Sequence, residues 1–215
     1  MLTGSQVILG LCLKHNNDWN AVYSELQSRQ HHTNDEELER YVRNFHGNYI
    51  TMLDADYPNR LKQKFKPPFV LYYEGDINLL KHVDDNDGKN HLVFLHGPNT
   101  FNIPTDRLCF ITADNKVDIC GGLRVWFNKQ SDSVDRYGLA AGLCHSIVGT
   151  KIYPENTRSW FIGVTVPNAL DLGAEVYMVA STAPSFNNRL IKSGAHLIDC
   201  FADICDDAPF NNLPF

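Results

Sequence analysis

Gly121, Gly122 and Arg124 stand together in the run CGGLRVWF, a combination of residue types that can hold a phosphate. Glycine lets backbone N–H groups approach an anion closely, and a neighbouring guanidinium offers a planar, permanent positive charge. With no ligand, the same run reads as a tight turn at a strand end. Trp126 and Phe127 follow and could stack a base, although aromatic residues beside a strand ordinarily belong to a core. Arg136 lies a little further on, and Gly97, in LVFLHGPN, is a second glycine at a strand end. Gly121, Gly122 and Arg124 are the candidate ligand- or nucleic-acid-binding residues that residue types suggest.

Catalytic signatures are missing from the sequence. The patterns GxGxxG, GxxxxGK[ST] and GxSxG do not occur. Cys144 and His145 invite a nucleophile and base, but adjacent residues on a helix point apart and cannot meet. The expectation is a protein without enzymatic activity and without a cofactor. Six cysteines, at positions 12, 109, 120, 144, 200 and 205, form no CxxC pair and have no histidine at zinc spacing, so they are expected to be buried, reduced thiols, with no metal site.

The elements that must position these residues follow from composition and periodicity. A chain of 215 residues with 43% apolar side chains can build one full domain and a small appendage. Its formal net charge of -6 argues against a surface that binds phosphate backbones everywhere, so any such binding has to be local. The opening MLTGSQVILGLCLKH fits neither a signal peptide nor a membrane span, and a cytoplasmic protein is expected, with no membrane contact.

From Gln6 to Phe45 apolar residues recur at helical spacing, with Thr33 or Asn34 as the expected N-cap of a third helix. Beyond Gly47 the texture becomes one of short strands: NYITMLD, FVLYYEGD, LVFLHG, LCFITA, VDICGG and AEVYMVAS. Helical segments VTVPNALDLG and NNRLIKSGA are interspersed, with a last short strand HLID. Such alternation predicts an α/β fold, a Rossmann-like and mostly parallel sheet with helices on both faces, preceded by a small helical unit. The expected organisation is a helical unit over 1–47, a Rossmann-like domain over 48–205 and a flexible acidic tail over 206–215.

The run ITMLDADYPNRLKQKFKPPFVLYYEGD resembles a segment of the DNA-processing protein A family (DprA, also called Smf), which carries I-T-x-x-D-x-x-Y-P-x-x-L … P-P-x-V-L-Y-x-x-G-D. Ile50, Thr51, Asp54, Tyr57, Pro58, Leu61, Pro67, Pro68, Leu71, Tyr72, Gly75 and Asp76 fit it. A second block, NNRLIKSGAHLI, is similar to the family's N-x-L-I-x-x-G-A element through Asn188, Leu190, Ile191, Gly194 and Ala195. Between the blocks the likeness thins. Where the family has a V-G-S-R loop, this chain keeps Gly97 but reads Pro98 and Asn99. Where it has S-G-G-A-R-G-I-D, only Gly121, Gly122 and Arg124 match. Asp135 and Arg136 fall at the family's Asn-Arg pair, and the resemblance thereby adds Gly97 and Arg136 to the candidate ligand- or nucleic-acid-binding residues. The interval is also shorter, which implies that a helix or a strand pair has been lost.

The chain closes DDAPFNNLPF, similar to the acidic tip, ending D-L-P-F, of bacterial single-stranded-DNA-binding proteins. Leu213, Pro214 and Phe215 match it, with Asp206 and Asp207 supplying acid upstream. A terminal ring and α-carboxylate on one residue suit an apolar pocket with a basic rim. Taken together, these resemblances imply a reduced, non-catalytic DprA-like accessory of DNA recombination or DNA uptake, carried by a mobile element. It would contact single-stranded DNA weakly, or act through recombination and repair proteins that bind such tips, with a homo-oligomer left open. The other reading is a Rossmann-like binder of a compact nucleotide-derived ligand.

Overall fold

Three helices open the chain, α1 (Gly4–Lys14), α2 (Trp19–Gln27) and α3 (Asp35–Asn44). Thr3 and Gln6 close a capping box at the start of α1, and Asp18 caps α2 by accepting from the Ala21 N–H at 2.8 Å. The computed structural model describes residues 1–28, 35–80, 92–111, 121–126, 133–155, 159, 161–200 and 202–205, with backbone alone at 35, 133–137 and 205. The expected N-cap at Thr33 or Asn34, the strand VDIC and the tail residues Asp206, Asp207, Leu213, Pro214 and Phe215 lie outside the described residues.

The α/β part follows as β1 (Asn48–Thr51), a helical turn α4 (Asn59–Lys62), β2 (Val70–Gly75), β3 (Val93–His96), β4 (Cys109–Ile111) and β5 (Leu123–Trp126). Then come α5 (Ser133–Leu143), β6 (Ser146–Gly149) and α6 (Val166–Asp171), the last preceded by a π-helical turn over Phe161–Thr165. The series ends with β7 (Glu175–Met178), α7 (Phe186–Lys192), β8 (His196–Leu197) and α8 (Ala202–Cys205). Gly173, at φ +71, sits just past α6, and Gly194, at φ +110, just past α7, in the left-handed conformation that ends helices.

Strands pair in the orders β1-β2-β5-β4 and β3-β6-β7-β8, and a parallel bridge between Val93 and Leu108 joins the two sets at the β4/β3 seam. Among the described strands only β2 runs against the rest. From β5 to β8 the spatial order is therefore β5-β4-β3-β6-β7-β8, the Rossmann order, reversing direction between β3 and β6. The expected mostly parallel α/β sheet is the one observed.

Side chains alternate between the two faces, as strand geometry requires. Phe94, Ile147, Val176 and Met178 pack with α4, α5, α6 and α7 in one core, while Val93, Leu95, Val148 and Tyr177 pack with Ile103, Leu108 and Ile204 of α8 on the other face. At the β1–β2 end that second face is covered by α1–α3, whose Ile8, Leu9, Leu11, Val22 and Leu38 share a core with Phe69, Val70 and Tyr72.

Physical roles can be read off the I-T-x-x-D-x-x-Y-P run. Asp54 accepts from the Thr51 N–H at 2.6 Å, the Thr51 hydroxyl at 2.9 Å and the Ser5 hydroxyl at 2.8 Å, fastening α1 to the end of β1. Burial opposes its charge, but these hydrogen bonds outweigh burial and hold its carboxyl below the ordinary range. Tyr57 is buried and donates its hydroxyl to the Pro68 carbonyl at 2.7 Å. The twelve matching positions thus include the joint between helical unit and sheet.

LRVW, directly after the glycine pair, is itself strand β5. Two expectations need correction. SIVG, not singled out in the sequence, is the central strand β6. With four residues buried on both sides it shows no alternation and is too short to signal by periodicity. Among the described cysteines Cys12, Cys109 and Cys144 are buried, but Cys200 is exposed, where its backbone N–H and thiol both meet the Asp203 carboxylate.

Candidate functional site

In an open parallel sheet, ligands bind beyond the carboxyl ends of the strands, where the strand order reverses. Here that point lies between β3 and β6, which run in register from Val93 opposite Ser146 to His96 opposite Gly149. The chain leaves β3 through Gly97, at φ +120, and leaves β6 through Thr150. A Cβ on Gly97 would lie 2.4 Å from Thr150 Oγ1 and 2.9 Å from the Lys151 nitrogen, so only glycine lets the two strand ends meet. Thr150 donates its hydroxyl to the Pro98 carbonyl at 2.7 Å, and its N–H to the His96 carbonyl at 3.1 Å.

Asn99 stands where the resembled family has arginine. Its amide donates to the Ile103 carbonyl at 2.9 Å and accepts from the Ile103 N–H at 2.8 Å, so it shapes its own loop. Three rings pack together at the end of β3, with Tyr153 and Phe161 buried. His96 lies nearly parallel to Phe161, with ring centres 4.3 Å apart at 7°, and Tyr153 lies 5.9 Å away at 20°. Burial pushes the His96 imidazole below its ordinary value of 6.5, and the nearby Lys151 ammonium adds to the effect. Lys151 itself is exposed, with its ammonium 5.8 Å from the Tyr153 ring centre.

Two asparagines at the head of α7 hold this edge in shape. Asn187, fully buried, accepts from the Tyr153 N–H at 3.0 Å and donates to the carbonyls of Lys151 at 3.1 Å and Val179 at 3.0 Å. It ties the chain leaving β6 to the chain leaving β7. Asn188 accepts from the Ser181 N–H at 2.9 Å and donates to the carbonyls of Ser181 at 2.7 Å and Ala183 at 3.2 Å.

The sequence-predicted residues do not converge. Gly97 follows the carboxyl end of β3, whereas Gly121 and Gly122 precede the amino end of β5, and those strands are parallel, so the glycines lie at opposite sheet edges. Gly122, at φ +74, permits close packing: a Cβ there would lie 2.4 Å from the Leu108 carbonyl oxygen and 2.5 Å from that of Thr105. Gly121 is also in the left-handed region, at φ +86.

Arg124 is buried within β5, opposite Glu74 of β2. Its guanidinium forms an ion pair with the Glu74 carboxylate and lies 5.4 Å from the Trp126 ring centre. Trp126 in turn stacks on Tyr72, its own partner across the strands, at 6.2 Å and 29°. Arg124 is thus a member of a cross-strand ladder. Arg136 has its backbone in the first turn of α5, and its side chain is outside the described residues.

Sequence reasoning missed His96, Thr150, Lys151, Tyr153 and Asn187. The doubled asparagine heading α7 and the apolar run into Gly97 were the available signals. Chemically, the edge offers the exposed Lys151 ammonium beside the half-buried His96, while Tyr153, Phe161 and the Thr150 hydroxyl are buried in the joint between the strand ends. Cys144 and His145 do not serve a reaction there: Cys144 is fully buried, with burial first and the Cys109 thiol second holding its own thiol far above the ordinary value, and His145 Nδ1 accepts from the Leu92 N–H at 3.0 Å.

Strand order defines a Rossmann-type α/β fold with helices packed on both faces. Within that class the chain is similar to DNA processing protein A (DprA) of Streptococcus pneumoniae, with a TM-score of 0.52 and 15% identity over 94% of this chain and 92% of that one. It is also similar to DNA processing protein A of Helicobacter pylori, a protein with a single-stranded DNA binding mode, with a TM-score of 0.51 and 14% identity over 74% of this chain and 95% of that one. The fold is DprA-like. No protein-family model matches the sequence, and no curated protein matches it. Among the described residues no helix is long and apolar enough to cross a membrane.

Proposed function

We propose that the protein is a non-catalytic, DprA-like cytoplasmic accessory of DNA recombination or processing that contacts single-stranded DNA at the β3–β6 crevice. The observation that carries this reading is the strand-order reversal at Gly97 and Thr150, with Lys151 exposed beside it in a DprA-like fold. One lysine on an acidic molecule gives weak contact, so partner proteins supply the rest of the affinity. The tail residues Asp206, Asp207, Leu213, Pro214 and Phe215 are the partner-binding segment in this reading.

A titration of the full chain with a labelled oligothymidylate at low and moderate salt tests it. Saturable binding that weakens with salt is expected, and Lys151→Ala should lower the salt slope by about one. Absence of binding at low salt overturns the reading. The Rossmann strand order, whose reversal point takes compact nucleotides in open parallel sheets, favours a second reading, a compact nucleotide-derived ligand. Binding of a mononucleotide with shallow salt dependence, and none of the polymer, would select it.

A further inference from the structure

Away from the β3 and β6 ends, α2 and the segment ahead of β2 build a surface that sets aromatic rings beside basic side chains. Between Tyr57 and Phe69 the chain carries Arg60, Lys62, Lys64 and Lys66 and no acidic residue, in a protein of net charge -6. Trp19 is stacked between Tyr23, at 4.7 Å and 20°, and Phe69, at 5.3 Å and 23°, so three rings form a near-parallel column. Its inner end, Phe69, is buried, while its outer end, Tyr23, is 41% exposed.

Lys66, at φ +54, places its ammonium 5.3 Å from the Trp19 ring centre and 5.6 Å from that of Phe65, and donates to Asn20 Oδ1 at 2.7 Å. Phe65 is 89% exposed, in a loop whose other aromatic, Phe69, is packed away. Exposed rings interleaved with cations are what a single strand meets on a stacking platform, since every base has a π-face and every step a phosphate. The acid next to the column, Asp18, is engaged in capping α2.

The platform also lies at the right edge. Because β2 runs against the other strands, its first residue, Val70, is at the sheet edge where Gly97 and Thr150 lie, with β5 and β4 between β2 and β3. Three strand spacings make roughly 15 Å, a distance one polymer can bridge.

We infer that this face is a second single-strand contact: bases stack on Phe65 and on the outer face of Tyr23, and Lys62 and Lys66 take the phosphates. The inference rests on the single-strand reading of the crevice and extends it from a point contact to a path.

The test compares the full chain with Phe65→Ala, Phe65→Trp and the double variant Lys62→Ala/Lys66→Ala, on a long and a short oligothymidylate, following oligonucleotide anisotropy and tryptophan fluorescence. On the long strand Phe65→Ala should weaken binding about tenfold, with Phe65→Trp restoring it. The lysine double variant should lower the salt slope by about two. Affinity for a strand short enough to fill the crevice alone should not change. Long-strand binding that is the same in parent and variants overturns the inference and leaves the crevice reading standing, whereas a parent that binds neither strand overturns both. Variants that lose a peptide of sequence DDAPFNNLPF but keep the oligonucleotide make the face a peptide dock and overturn the inference.

Discussion

Arg124 and Glu74 face each other across the β5–β2 pair as an ion pair in which the arginine side chain is 3% exposed and the glutamate 47%. Removing either partner therefore has unequal consequences. Glu74→Ala leaves a buried guanidinium without its carboxylate and should cost about 3 kcal/mol, whereas Arg124→Met leaves a carboxylate that water reaches and should cost about 1 kcal/mol or less. Urea unfolding at neutral pH measures both, and a larger loss in Arg124→Met would contradict the placement of that side chain.

Asn187 stitches two loops with three hydrogen bonds from a fully buried amide. Asn187→Ala strands one N–H and two carbonyls and should destabilise by about 3 kcal/mol. Asn187→Asp should be worse, because a carboxylate then faces two carbonyl oxygens. Denaturant midpoints give the ranking, and an aspartate variant as stable as the parent would refute the donor assignment.

His96 links stability to pH. Its folded-state affinity for a proton is below that of the unfolded chain, by burial first and Lys151 second. The unfolded state thus binds more protons, and the stability held above pH 6.5 is lost progressively as the pH falls below that value. His96→Phe keeps a ring against Phe161 and should remove this part of the acid slope. Thermal unfolding followed from neutral to mildly acidic pH reads the difference, and an unchanged slope would exclude His96 as its source.

Glycine at 97 is a geometric requirement of the strand crossing. In Gly97→Ala the Cβ meets Thr150 Oγ1, and the φ of +120 is strained for any L side chain. A loss of about 2 kcal/mol is expected, only partly recovered by adding Thr150→Ala, since the Lys151 nitrogen remains close. Full recovery would show that contact with the hydroxyl, not backbone conformation, selects glycine.

The fold class was legible in the sequence where local patterns are strong. Apolar runs ending in glycine marked β2 and β3, and the helical spacing of Val7, Ile8 and Leu11 marked α1. The I-T-x-x-D-x-x-Y-P run was legible as well, because Thr51, Asp54 and Ser5 make a short-range joint that requires those side chains. β6 was not, since a four-residue strand buried on both faces has no period to detect.

The same division holds for the site. Residue types marked Gly121, Gly122 and Arg124, and the resemblance added Gly97 and Arg136, because glycine and arginine near strand ends are what an anion needs. Strand direction and pairing decide otherwise: β3 ends where β5 does not begin, so Gly97 and the glycine pair occupy opposite edges, and the β2 partner takes Arg124 into an ion pair. Local sequence determined that strands, helices and tight glycines would exist. Only tertiary structure, through long-range pairing that brings Thr150, Lys151 and Asn187 to the end of β3, decided which of them share an edge.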